Sequence, residues 1–73
     1  MSNPDNDTLI EEYRRAYRRA NGNAKANILS VYYENGWFKV AQRMSHPMPC
    51  RRAKIRAMIA TLNNRPAHED WKE

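Results

Sequence analysis

The residues best suited to chemistry in this chain are cations. Arg51, Arg52, Lys54 and Arg56 fall within six positions that contain no carboxylate. Ile55, Met58, Ile59 and Leu62 follow at i, i+3, i+4 and i+7, which makes this stretch the start of a helix running from near Cys50 to Asn63. Cations in a first turn oppose the helix macrodipole, at roughly 0.3–1 kcal/mol each at low salt, and no Ser, Thr, Asp or Asn immediately precedes Cys50 to cap the end. An anion relieves both problems, because free backbone N–H groups flanked by guanidinium groups form a phosphate site. The competing reading is a solvated basic face whose charges are screened by salt. Tyr32, Trp37 and Lys39 form a second constellation, in which aromatic rings beside a cation suit stacking on unpaired bases. Its structural alternative is cover by the C-terminal tail with Trp71, or by a second copy of the chain.

Other chemistries find less support. Cys50 and Arg56 satisfy C-x5-R, the spacing that can hold a thiolate and an arginine on one phosphate, but that site needs a loop of backbone donors and this segment has no glycine and reads as helix. A thiol at a helix N-terminus beside Arg51 is nonetheless expected to ionise more readily than a free one. His46, Cys50 and His68 supply at most three soft metal ligands without paired spacing, whereas a closed zinc site takes four. Gly22 and Gly36 are the only glycines, so no P-loop can be built. Arg14, Arg15, Arg18 and Arg19 make a second basic cluster, half answered by Glu11 and Glu12 at helical spacing, with Arg18 and Arg19 left comparatively free. The chain is therefore expected to be non-enzymatic, without metal, cofactor or small-molecule substrate.

Three elements must position these groups. Thr8-Leu9-Ile10-Glu11 is a capping box that predicts a helix from near Thr8 to the stop at Asn21-Gly22, with Leu9, Ile10, Tyr13, Ala16, Tyr17 and Ala20 on one stripe. Asn27–Glu34 and Trp37–Ala41 flank Asn35-Gly36, the pattern of a β-hairpin with a type I′ turn. That turn pairs Glu34 with Trp37, Tyr33 with Phe38, Tyr32 with Lys39 and Val31 with Val40. Leu29, Val31, Tyr33, Phe38 and Val40 then share an apolar face, and Tyr32, Trp37 and Lys39 lie on the other. A loop over Gln42–Met48 leads to the second helix, whose start is fixed by Pro47 and Pro49. The expected fold class is α+β, a small α-β-β-α domain with two helices packed on an antiparallel hairpin. Residues 1–6 are expected to be disordered, 7–63 to form the domain, and 64–73 to be a tail with room for one helical turn.

Composition sets the partner class. The 73 residues carry a net charge of +5, and the excess lies in residues 35–68, with seven bases and no acid. A mean hydropathy of −1.00 and the lack of any long apolar run exclude a membrane span and predict a cytoplasmic protein. The order of helix, antiparallel strands and C-terminal helix opening with Arg51-Arg52-Ala53-Lys54 resembles a double-stranded RNA-binding domain, a family whose last helix starts with lysines that contact phosphates across the major groove. That family has three strands, and here the third would come from Gln42–Met48, which holds Pro47. The expected function is largely sequence-independent binding of DNA or RNA. Arg51, Arg52, Lys54 and Arg56 would contact phosphates, Arg43 and Lys39 would extend the patch, and Trp37 and Tyr32 would stack. The alternative is a protein-interaction or homodimer module using the hairpin's second face and strand edge.

Overall fold

Proline is well placed at the first position of a helix, where its missing N–H would have no partner in any case, and Pro4 opens the first helix here. The computed structural model describes residues 4–42, 46–69 and 71. Helix α1 spans Pro4–Asn21, with Asp5 and Asp7 in its first turn and Arg18 and Arg19 in its last, each sign complementing the macrodipole. It therefore begins four residues before Thr8, and the capping-box residues lie inside it. Pro4 and the residues up to Asn6, expected to be disordered, are helical. The cause is tertiary: Asn6 is buried and its Oδ1 accepts a hydrogen bond from Arg52 Nη2 at 2.7 Å, which ties the extra turn to the last helix.

The helix stops where expected. Gly22 has φ 94° and ψ 162°, a region open to glycine almost alone, and a Cβ there would stand 2.9 Å from Nδ1 of His68. A short helix α2, Asn23–Ala26, follows, and Leu29 N–H still donates to Ala26 O at 3.2 Å. These local bonds delay the first strand, β1, to Ser30–Glu34, three residues later than the β-branched run suggested.

Strand β2 is Trp37–Ala41, and its register with β1 is the expected one, extended by Ser30 opposite Ala41. Positive φ at both Asn35 (52°) and Gly36 (86°) matches the primed turn. The hairpin is not alone. Met48–Cys50 forms β3, antiparallel to β2, with Phe38 opposite Cys50, Lys39 opposite Pro49 and Val40 opposite Met48. The segment expected to be loop and helix start is thus a third strand, and β2 is central in a β1-β2-β3 sheet. Pro49 is tolerated because β3 is an edge strand, where a missing donor need not break the ladder. The last helix, α3, is consequently Arg52–Asn63.

The molecule is a small α+β domain. Leu9, Tyr13, Ala16 and Tyr17 of α1 and Ile55 and Leu62 of α3 close over Val31, Phe38, Val40 and Cys50 on one sheet face. Phe38 and Ile55 are the most completely buried large side chains, each worth about 1.5–3 kcal/mol of transfer free energy. Tyr33 lies on the expected apolar face, opposite Phe38, but at the margin of the core. At 45% exposed on the edge strand, it sets its ring edge-on to Phe38 with centroids 5.0 Å apart. Beyond α3 the chain returns along α1: His68 N–H donates to Arg19 O at 2.6 Å, and Arg19 Nη1 donates to Arg65 O at 3.0 Å. Arg19 is therefore a strap between α1 and the tail and not a free cation. No helix of the described residues is long and apolar enough to cross a membrane.

Candidate nucleic-acid interface

Helices α1 and α3 lie on one face of the sheet, and alternation along the strands sends the other side chains to the opposite face. That face carries Ser30, Tyr32 and Glu34 from β1, Trp37, Lys39 and Ala41 from β2, and Pro49 from β3. All are exposed or half-buried. Trp71 does not cover them: it lines a hollow against α1 with Asp7, Glu11 and Arg15. Tail cover, one of the structural alternatives for this face, is thus absent among the described residues.

Arg51 links the last helix to the same face. It is the N-cap residue of α3, in an extended conformation with φ −87° and ψ 169°, and its side chain makes no capping bond. The guanidinium instead crosses to the hairpin, where Nη1 donates to Gly36 O at 2.8 Å and the guanidinium carbon stands 3.7 Å from the centre of the Trp37 ring. Arg51 is exposed and Trp37 half-buried, so the guanidinium forms the outer layer of a two-layer stack. Cation–π pairing of this kind contributes about 0.5–1 kcal/mol at an exposed site. Lys39 sits between Tyr32 and Pro49 in the register, and Glu34, opposite Trp37, is the face's one carboxylate among the described residues.

The remaining cations of the expected patch do not join this cluster. Arg52 is committed to Asn6. With Arg56 it lines a hollow of about 300 Å3 against Asp5, Thr8, Leu9 and Glu12 of α1, so these two guanidinium groups face acids from elsewhere in the chain. Lys54, on the other flank of α3, faces a groove shared with Tyr17, Gln42 and Arg65. Arg43 lies outside the described residues. The four cations of residues 51–56 therefore serve three different surfaces. The reason is helical geometry: positions 52 and 56 share one side of the buried Ile55 stripe and position 54 the other. Sequence reasoning missed Pro49 and the carbonyl of Gly36 as parts of the face. The signal for both was the third strand, which carries Arg51 alongside the hairpin turn.

Cys50 is not the activated thiol its neighbours suggested. It lies in β3, 3% exposed, with Sγ donating to Met48 O at 3.7 Å, and burial pushes its thiol up, with Lys54 opposing the shift only in part. Burial, followed by the neighbouring Tyr17 and Cys50, likewise pushes the Tyr13 phenol up. No group of three or more metal-ligating side chains occurs among the described residues. Compared with known proteins, the chain matches no family model, and neither a curated protein nor a solved structure matches it.

Proposed function

We propose that this is a non-enzymatic, cytoplasmic nucleic-acid-binding module whose contact surface is the open sheet face and not the flank of the last helix. The observation that carries the reading is the Trp37–Arg51 stack beside Tyr32 and Lys39 on a face that no described element covers. A guanidinium plane backed by an indole presents a flat, positively charged surface, which suits an unpaired base, and Tyr32 offers a second ring. Lys39 supplies a charge for the phosphates between them. The first turn of α3 contains no acid and its N-cap makes no side-chain bond, so its free backbone donors add to the positive field next to Arg51. Unpaired strands fit this surface better than duplexes, because stacking needs bases out of the helix.

The test is an electrophoretic shift at low salt with single-stranded DNA, duplex DNA and RNA probes. The expected result is binding of single strands, with loss of Trp37 fluorescence. Absence of a shift with every probe refutes the reading. A second reading is homodimerisation, favoured by the outer edge of β1, a strand that ends the sheet and pairs only with β2 among the described residues. Sedimentation at twice the 8.6 kDa of one chain, abolished by Trp37→Ser, would select it instead.

A further inference from the structure

A second set of cations gathers away from the sheet face. Lys25 from α2, Lys54 from α3 and Arg65 just beyond α3 line one groove of about 530 Å3, and none of its described lining residues is acidic. Small-molecule sites commonly measure about 300–1,000 Å3, so the groove is the right size for one. None of Tyr32, Trp37, Lys39 or Arg51 takes part in it.

One neutral donor is available in the groove. Gln42 Nε2 donates to the Tyr17 hydroxyl at 3.2 Å, which leaves that hydroxyl's own proton to be given to a ligand. Tyr13, only 6% exposed, also lines the groove. Ile28 and Met58 add apolar wall, with Ile28 43% exposed. Three like charges around one concavity give it a positive potential. An anion with several acceptor oxygens matches that potential, and an attached ring would cover the apolar wall.

We infer that this groove binds a nucleotide-sized phosphate ester. Lys25, Lys54 and Arg65 hold the phosphate oxygens, the Tyr17 hydroxyl donates to phosphate or sugar, and Ile28 and Met58 receive the base. The same chemistry is presented by a free mononucleotide and by the phosphorylated end of a strand. The inference does not depend on what the sheet face binds.

Isothermal titration with AMP, adenosine, and oligothymidylate with or without a 5′-phosphate tests it on the full chain. AMP is expected to bind with Kd near or below about 1 mM and adenosine at least about tenfold more weakly. Lys54→Gln and Arg65→Gln, both at exposed positions, should each weaken AMP binding about fivefold or more, whereas Trp37→Ala should leave it unchanged. Binding of the 5′-phosphorylated strand that depends on Lys54 in the absence of AMP binding would identify a strand end as the source of the phosphate ester. The inference is overturned if neither AMP nor the 5′-phosphate registers at about 5 mM, if adenosine binds as well as AMP, or if Lys54→Gln has no effect.

Discussion

Arg52→Ala separates the two roles open to that residue. If Arg52 contacts phosphate, its loss weakens nucleic-acid binding and leaves stability nearly unchanged. The structure instead gives its Nη2 to Oδ1 of Asn6 at 2.7 Å, and Asn6 is 5% exposed. Removing the donor strands a buried amide oxygen, at a cost of about 1–3 kcal/mol, and forfeits a charge-assisted bond of about 1.5–3 kcal/mol, two descriptions of largely the same loss. Because Arg52 itself is exposed, water can replace part of the bond, and we expect a net cost of about 1.5–2.5 kcal/mol. For a domain this small that corresponds to a fall in Tm of roughly 6–20 °C. Thermal unfolding followed by circular dichroism measures it, and a double-mutant cycle with Asn6→Ala should return a coupling of about 1 kcal/mol or more. A change below about 0.5 kcal/mol, or strict additivity with Asn6→Ala, would refute the clamp.

Gly22→Ala should cost about 1–3 kcal/mol, because alanine is strained at that φ and ψ and its Cβ would push into the His68 ring. A Tm within a degree or two of the parent would contradict this. Cys50 should resist alkylation in the native protein at neutral pH and react promptly once unfolded, since burial keeps its thiol protonated; equal rates in the two states would be inconsistent with its place in β3. For Cys50 and Tyr13 together the folded state holds protons that the unfolded chain releases first. Stability should therefore decline as pH rises through the ordinary thiol and phenol range, about 8.5–10, and urea midpoints flat across that range would argue against it.

Where local chemistry decides, the sequence was readable. Asn35-Gly36 fixes the turn, the turn fixes the register, and the register puts Tyr32, Trp37 and Lys39 on one face. The third strand was hidden because Met48-Pro49-Cys50 is three residues long and holds a proline, which reads as a break by propensity and becomes a strand only by pairing with β2. Missing β3 placed Arg51 inside the helix, whereas it is the extended N-cap residue whose side chain crosses to the hairpin turn. The extra turn of α1 was invisible for a similar reason, since the Asn6–Arg52 bond joins residues 46 positions apart. Counting like charges along the chain found a basic segment, but which surface each charge serves depends on the side of a helix it leaves from.

The most direct test of the central claim is a salt titration of single-stranded oligonucleotide binding, run on the parent chain, Lys39→Ala, Arg52→Ala and Trp37→Ala. If the sheet face is the contact surface, log K falls with log salt and Lys39→Ala flattens the slope by about 0.7, the value of one phosphate contact on a single strand. Trp37→Ala should weaken binding by about 1–3 kcal/mol, the worth of one stacked base, at nearly constant slope, and Arg52→Ala should leave the folded protein's slope unchanged. The opposite pattern, with Arg52 controlling the slope and Trp37 without effect, would return the contact surface to the flank of α3 and contradict the account.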